Sequence, residues 1–429
     1  MIPIIQADGV TEAQLFQKLK ARAGETDTRV AAIVEDIIAN VRTHGDAALR
    51  EYTERFDGAV PEKWILDRAD MQAALDTREP AFIAALQKAN LNINLFHSQQ
   101  WQKSWLTTEK DGTILGQRVR GLHRVGLYVP GGTAPLFSSV LMNAIPAKIA
   151  GVEELIMLTP PQKDGTANPD ILAAAAIAGV DKVYLVGGAQ AIAAAAYGTE
   201  SIPKVDKIVG PGNIFVATAK KQVFGQVDID MIAGPSEILI IADETANARY
   251  VAADLLGQAE HDVLASAVLL TTSQTLAEQV VAELEKQAAL LPRRDIIEKS
   301  LPDYGVIVVC DTLARCIELS EEFAPEHLEL AVRDPLQYIG LIDNAGSVFL
   351  GHDTPESLGD YYAGPNHVLP TGGTARFFSP LGVDAFLKRS SFIYYTNAAL
   401  RAAADDVIRL ARAEQLDGHA NAVAVRIKP

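Results

Sequence analysis

The feature that most constrains the fold is an alternation of short apolar segments with helical segments, which starts near Gly121. Residues 125–129 form an apolar run, a helical pattern follows, and residues 155–158 form the next apolar run. Short strands separated by single helices indicate βαβ units, in which successive strands run parallel. Residues 121–236 are therefore predicted to form one α/β domain.

A second series of the same kind follows, and helical periodicity dominates the chain before residue 121. The predicted strands of the second series are residues 237–241, 267–270, 306–309 and 347–350. We expect an α/β protein with two Rossmann-like three-layer domains and parallel sheets. The expected division is residues 25–120 plus 237–375 for the first domain, residues 121–236 for the second, and small extensions at residues 1–24 and 376–429.

Composition narrows the class of protein. A chain of 429 residues is long enough for two to four folded units. Its formal net charge of −16 argues against nucleic acid, whose phosphates are neutralised by Lys and Arg. We expect no membrane span and no signal peptide, because no long apolar segment and no basic segment before an apolar core occur. The two cysteines, Cys310 and Cys316, fit reduced thiols in the cytoplasm.

Two segments near the C-terminus depart from the regular alternation. Residues 351–373 are rich in Gly, Pro, Asp and His and are predicted to form a long irregular loop. Long loops in compact domains are usually functional. Residues 398–413 are predicted to be helical, and a turn and a terminal strand are expected after them.

Glycine-rich turns follow three predicted strands of residues 121–236. Exposed backbone at such turns, beside a helix N-terminus, can hold phosphate groups. The alternative is that glycine only permits the turn, and none of the three is a GxGxxG sequence. A nucleotide-like ligand and a simple turn both stay open for these segments, which are Gly131-Gly132, Gly187-Gly188-Ala189-Gln190 and Gly210-Pro211-Gly212-Asn213.

Two pairs of side chains could carry chemistry. Gln258 and His261 are three residues apart at the end of an apolar helix, so they could face one ligand together. A solvated helix end is the alternative interpretation. Glu326 and His327 are adjacent and could transfer protons, and a surface Glu beside a partly buried His is the alternative that such a pair alone favours.

A metal site is a further possibility in the second half of the chain. Histidines are concentrated there, and Asp360 and Glu414 lie in or beside the same loop-rich segments. Two imidazoles, a carboxylate and a carbonyl oxygen suit zinc, and manganese is also compatible with them. The histidines concerned are His261, His327, His352, His367 and His419.

Seven segments together resemble the histidinol dehydrogenase family, in the family's order and at similar spacing from about Gly121 to His419. Several are long and chemically unusual, so the resemblance is specific. They are GLYVPGGTAPLFSSVLMNAIPA from Gly126, VGGAQAIAAAAYGT from Val186, VDKIVGPGN from Val205, DMIAGPSE from Asp230, LLGQAEHD from Leu255, FAPEHLEL from Phe323 and LGDYYAGPNHVLPTGGTARF from Leu358.

The resemblance implies the last steps of histidine biosynthesis, in which L-histidinol is oxidised to L-histidine through bound L-histidinaldehyde. Two NAD⁺ are reduced, and each active site uses one zinc ion. The implied zinc ligands are Gln258, His261, Asp360 and His419, and the implied catalytic pair is Glu326 and His327. The implied substrate contacts are Ser236, Gln258, His261, His327, Asp360, Glu414 and His419, and the implied cofactor contacts are Tyr128, Gln190 and Asn213.

The resemblance also implies a homodimer whose small terminal extensions mediate dimerisation. His419 and Glu414 of one chain are then expected to complete the active site of the other. Two other classes of function stay open from the residues alone. One is a metal-stabilised nucleotide-binding protein without turnover, and the other is a zinc hydrolase, which the glycine turns disfavour.

Overall fold

The computed structural model describes residues 2–24, 28–131 and 136–427. The strands are β1 (Ile4–Gln6), β2 (Ile65–Leu66), β3 (Trp105–Thr108), β4 (Ile114–Gly121), β5 (Arg124–Tyr128), β6 (Glu154–Thr159), β7 (Lys182–Leu185), β8 (Lys207–Val209), β9 (Asp228–Ile229), β10 (Glu237–Ala242), β11 (Ser266–Thr271), β12 (Gly305–Val309), β13 (His327–Ala331), β14 (Ser347–Leu350) and β15 (Leu387–Tyr394).

Helices alternate with most of these strands. They are α1 (Thr11–Gly24), α2 (Thr28–His44), α3 (Asp46–Asp57), α4 (Arg68–Asp76), α5 (Pro80–Ser98), α6 (Phe137–Ile149), α7 (Pro169–Ala178), α8 (Gly188–Tyr197), α9 (Ile214–Val223), α10 (Ala248–Ala259), α11 (Gln274–Ala288), α12 (Arg294–Tyr304), α13 (Leu313–Phe323), α14 (Glu356–Tyr361), α15 (Asn397–Ala413) and α16 (Asp417–Ile427).

The chain divides into two compact units. Unit 1 comprises Met1–Gln100 and Leu122–Phe386, and unit 2 comprises Trp101–Gly121 and Leu387–Pro429. Unit 1 contains two six-stranded sheets. Sheet I has the order β2-β7-β6-β5-β8-β9, and sheet II has the order β1-β12-β11-β10-β13-β14.

The predicted α/β class with parallel sheets is confirmed. Every pairing in sheet II is parallel, and in sheet I only β2 pairs antiparallel, with β7. Central strands such as β10 and β11 are buried along their whole length. Helices cover both faces of such strands, which explains why the sequence shows continuous apolar runs instead of alternation.

The helices before residue 100 pack mainly against the elements of sheet I. Strand β2 joins sheet I, α2 packs against α8 and α9, and α4 packs against α7. The division of the chain into two α/β domains at the expected boundaries stays a prediction. Strand β1, from the predicted N-terminal extension, is an edge strand of sheet II. Periodicity identifies the apolar face of a helix but does not identify the sheet that this face covers.

Unit 2 combines an antiparallel sheet of order β15-β4-β3 with the packed helices α15 and α16. The predicted terminal strand is wrong, because these residues form α16. Val423 and Val425 alternate with alanine in a way that imitates a strand, whereas alanine is the strongest helix former and α15 supplies a packing partner. Unit 2 leaves large apolar side chains exposed, including Trp105, Leu106, Ile393, Tyr394 and Leu410.

None of the helices within the described part of the chain is long and apolar enough to cross a membrane.

Candidate active site

The amino ends of β10 and β13 bring two proton-transfer side chains together. The two strands are parallel neighbours, and Ile238 is opposite His327. The Glu237 N–H donates to Glu326 Oε2 at 2.8 Å, and the Glu237 carbonyl accepts from His327 Nδ1 at 3.0 Å. One backbone residue therefore positions both members of the predicted catalytic pair. The predicted substrate contact Ser236 immediately precedes it.

The contact with Glu237 fixes the tautomer of His327. Because a carbonyl oxygen can only accept, Nδ1 carries the hydrogen, and in the neutral ring Nε2 is left with a free lone pair. His327 Nε2 is buried and has no hydrogen-bond partner among the residues that the structure describes. Burial lowers the pKa of His327, although the charge of Asp360 opposes this effect. The arrangement is that of a neutral base whose accepting atom is available to a ligand.

Glu326 is also buried, and its Oε2 lies 3.7 Å from His327 Nδ1. Burial raises the pKa of Glu326 well above its usual value, and the nearby charges of Glu237 and Asp360 add to this effect. A carboxyl group tuned in this way can exchange a proton closer to neutral pH than an exposed glutamate.

A short helix supplies two carboxylates beside His327. Glu356 and Asp360 are four residues apart in α14, so they project from the same side of the helix. His261, just after the end of α10, completes a group whose potential ligand atoms all lie within 4.8 Å of one another. Asp360 Oδ1 lies 3.8 Å from His327 Nε2. Imidazole nitrogen and carboxylate oxygen are ligands that zinc accepts, so the donor set fits the implied metal.

The amide of Gln258 lies against Glu356. With its nitrogen toward Glu356, the amide donates to the two carboxylate oxygens at 3.0 and 2.5 Å, and its oxygen accepts from the Glu237 N–H at 3.3 Å. With its oxygen toward Glu356, three oxygen atoms are crowded together, which a cation between them would stabilise. Gln258 is fully buried, so the choice between these two orientations depends on what the site holds.

One side chain of this group was missed by the predictions from sequence. It is Glu356, because residues 351–373 were predicted to be irregular and the four-residue spacing to Asp360 has meaning only on a helix. His367, one of the histidines considered for a metal site, lies beside the group: its Nδ1 donates to the Asp360 carbonyl at 3.0 Å, and its Nε2 lies 3.3 Å from Ser139 Oγ. Ser139 lies in the first turn of α6, and α6 packs against β5 and β6 of sheet I. This contact therefore connects the metal-ligand candidates to the part of unit 1 that contains sheet I.

A second candidate site lies at the carboxyl edge of sheet I. The strand order reverses between β5 and β8, and open parallel sheets bind ligands outside such a point. Tyr128 ends β5, and its hydroxyl accepts from the Gly188 N–H at 3.0 Å. Gly210 follows β8 with a φ of +114°, and an added Cβ would lie 2.1 Å from the Tyr128 carbonyl oxygen. Only glycine allows this approach of the two turns.

Three buried polar atoms beside this edge lack a hydrogen-bond partner within the described ranges. They are Gln190 Oε1, Thr159 Oγ1 and Asp57 Oδ2. Buried polar atoms are normally hydrogen-bonded, so these atoms are available to a bound molecule. The predicted cofactor contact Asn213 is exposed and caps α9, accepting from the backbone of the first turn. Gly132, from the first predicted glycine turn, lies outside the described residues.

Two predicted site residues belong to unit 2. Glu414 follows the last residue of α15, and His419 lies in the first turn of α16. Both are exposed. Their predicted contribution to an active site stays a prediction.

The fold and these side chains define an α/β enzyme with a buried acid/base pair beside a candidate metal site. A family model described as histidinol dehydrogenase matches residues 20–427. A histidinol dehydrogenase of Clostridium acetobutylicum is 54% identical over 428 residues, covering 100% of this chain and 99% of the relative. One of Listeria monocytogenes serotype 4b is 55% identical over 422 residues, covering 97% of this chain and 98% of the relative.

A solved structure gives the same result. The crystal structure of histidinol dehydrogenase from Elizabethkingia anophelis matches with a TM-score of 0.92 at 38% identity, covering 99% of this chain and 98% of that chain. The chain therefore belongs to the histidinol dehydrogenase family, an oxidoreductase family of histidine biosynthesis.

The half-buried carboxyl group of Asp57 generates a prediction about pH. Burial raises its pKa from 3.8 to about 6, so the folded protein keeps a proton that the unfolded chain loses between these values. Stability should therefore fall as pH rises through this window and stay lower above it. Asp57→Asn removes the buried charge and should raise the urea midpoint at about pH 8, with little change at about pH 4. A variant no more stable than the wild type at the higher pH would contradict this explanation.

Proposed function

We propose that the chain oxidises L-histidinol to L-histidine in two steps through bound L-histidinaldehyde, reducing two NAD⁺ and using one zinc ion per active site. The observation that carries this proposal is the His327 ring, whose Nδ1 is fixed by a backbone carbonyl and whose unpartnered Nε2 faces the candidate metal ligands. A fixed neutral imidazole at a ligand site is what alcohol oxidation requires of a base.

The first oxidation removes a proton from the hydroxyl group of histidinol and a hydride from its carbon. His327 Nε2 accepts the proton, since it is the free acceptor of the pair. The Glu237 carbonyl holds the ring throughout and stabilises the Nδ1 hydrogen that remains. NAD⁺, when bound, supplies the hydride acceptor.

The second oxidation needs water. Water adds to the aldehyde carbon and gives up one proton, and the hydrate anion that results loses a hydride to leave the carboxylic acid. Glu326 accepts the proton from the attacking water, because a carboxyl group with a raised pKa binds this proton more strongly than an ordinary glutamate does. The two members of the pair therefore serve different half-reactions.

We assign the zinc site to Gln258, His261 and Asp360, with His419 of the partner subunit as the fourth ligand. The grouping of His261 with Asp360 supports this assignment, and so does the Gln258 amide, whose oxygen can face Glu356 when a cation is present. A bound zinc ion would orient the substrate by binding its imidazole and amine. The substrate contacts in this proposal are Ser236, Gln258, His261, His327, Asp360, Glu414 and His419.

We assign the dinucleotide to the carboxyl edge of sheet I. The reversal of strand order at β5 and β8 supports this position, as do the unpartnered oxygen atoms there. Tyr128, Gln190 and Asn213 are the proposed contacts. NAD⁺ bound at this edge would supply the hydride acceptor for both oxidations.

We further propose a homodimer in which unit 2 of each chain completes the site of the other. The exposed apolar side chains of unit 2 support this proposal, because a surface of this kind is usually covered by a partner. Cys310 and Cys316 are buried and are not joined by a disulfide. Reduced thiols fit a reducing compartment, so we place the enzyme in the cytoplasm.

Replacing Glu326 separates the two oxidations. The wild type should form two NADH per histidinol. Glu326→Gln cannot accept the proton of the attacking water, so its rate with supplied histidinaldehyde should fall about 100-fold or more. Oxidation of histidinol to the aldehyde should fall much less, and NADH formed in a single turnover should approach one per histidinol. Stopped-flow absorbance of NADH measures both half-reactions.

Glu318→Gln is the matched control, since this glutamate is exposed on α13 and should leave both rates unchanged. Equal loss of the two half-reactions in Glu326→Gln would refute the proposed division of roles. A wild-type protein that reduces no NAD⁺ with histidinol would refute the proposed function itself.

Mixing two inactive variants tests the shared site. His419→Ala and His261→Ala remove ligands that, in the proposal, come from different chains of one site. After random subunit exchange, half of the dimers are mixed and each contains one intact site, so about a quarter of wild-type activity should return. Mixing His261→Ala with Asp360→Ala should restore none, because both ligands come from the same chain. No recovery in the first mixture, despite exchange shown by native mass spectrometry, would contradict a shared site.

A further inference from the structure

A buried ion pair lies beside the glycine turn that follows β8. Lys220, on α9, contacts Asp230, just after β9, and their side chains are only 4% and 1% exposed. The pair is not part of the proton-transfer pair or of the candidate metal site. The pair is buried next to the Gly210 turn, where it can hold backbone groups in place.

The pair binds both polar groups of the Gly210 backbone. Lys220 Nζ donates to the Gly210 carbonyl at 2.9 Å, and the Gly210 N–H donates to Asp230 Oδ2 at 2.8 Å. Asp230 Oδ1 accepts from the Met231 N–H at 2.7 Å. One ion pair therefore fixes the start of the turn after β8 and the start of the segment that leads from β9 to β10.

At Gly210 the turn after β8 comes closest to the end of β5. Its hypothetical Cβ would lie 2.1 Å from the Tyr128 carbonyl oxygen, so no side chain separates the two turns. The same turn leads to Asn213, which caps α9 and is a proposed dinucleotide contact. A small displacement of Gly210 would move the end of β8 relative to Tyr128.

Stability alone is a poor explanation for such a pair. Removing two charges from water costs free energy that their attraction offsets only when the geometry is good, and apolar replacements are often equally stable. A buried pair does, however, specify one position for the groups that it binds. We propose that Lys220 and Asp230 are positioning residues that hold the Gly210 turn in the geometry required for dinucleotide binding, an inference that depends on the proposed function.

Binding of NADH tests this inference directly. In Asp230→Asn, Lys220 loses its counter-charge and the hydrogen bonds to Gly210 weaken, so the dissociation constant for NADH should rise about tenfold or more. The KM for NAD⁺ should rise with it, whereas the KM for histidinol and the bound zinc per chain should stay unchanged. Fluorescence of bound NADH gives the dissociation constant, and atomic absorption gives the metal content.

The same two strands offer a matched control. Lys207 Nζ lies 2.8 Å from Asp228 Oδ2. This ion pair connects β8 to β9 at a position away from the Gly210 turn. Asp228→Asn removes a Lys–Asp pair from the same strands but leaves Gly210 in place, so NADH binding should not change. Equal weakening in the two variants would show a general effect on sheet I and would overturn the proposal.

Asp230→Asn leaves a buried lysine without its counter-charge, which is strongly destabilising, so this variant could fail to fold. A second variant is used for that case. Lys220→Met combined with Asp230→Asn removes both charges and still lacks the donor to the Gly210 carbonyl, so it should fold and bind NADH weakly. Wild-type affinity in a folded variant, or failure of both variants to fold, would reject the positioning role. A wild-type protein that does not bind NADH would instead reject the proposed function.

Discussion

The parallel pairing of β10 with β13 is the interaction on which the chemistry of this protein depends. Its register places Glu237 where its N–H holds Glu326 and its carbonyl holds His327. A buried ion pair with Arg22, at 2.9 Å, fixes the side chain of Glu237. The acid/base pair is therefore attached to the backbone of a buried sheet. A site attached in this way keeps its geometry during a reaction in which two protons leave at different stages.

The two sheets of unit 1 share one strand order but carry their sites at opposite ends. Sheet I presents its candidate dinucleotide site at the carboxyl edge, as parallel sheets usually do. In sheet II the acid/base pair lies at the amino edge. At the equivalent carboxyl edge, Asp243 is already hydrogen-bonded to the Thr245 and Arg333 backbone N–H groups. The Asp243 oxygens therefore already have internal partners, whereas sheet I has buried oxygen atoms without a partner among the described residues.

The alternation of strands and helices could be predicted from the sequence because buried parallel strands have to be continuously apolar. The proximity of Glu326 and His327 to Asp360 and His261 followed from a family resemblance, and no local pattern indicated it. Glu356 was not predicted, because a six-residue helix rich in polar residues has too weak a periodicity to recognise. The partner of β2 and the helical state of α16 depend on tertiary contacts, which override local preference.

In the proposed active site, zinc binds between His261 and Asp360 while His327 Nε2 stays free to accept a proton. Anomalous diffraction at the zinc edge, from crystals of the zinc-loaded protein with histidinol, tests it most directly. We expect one peak per site, about 2.0–2.2 Å from a His261 nitrogen and an Asp360 oxygen. His327 Nε2 should lie outside bonding distance of that peak. A zinc ion bonded to His327 Nε2, or no peak at His261 and Asp360, would contradict the proposed arrangement.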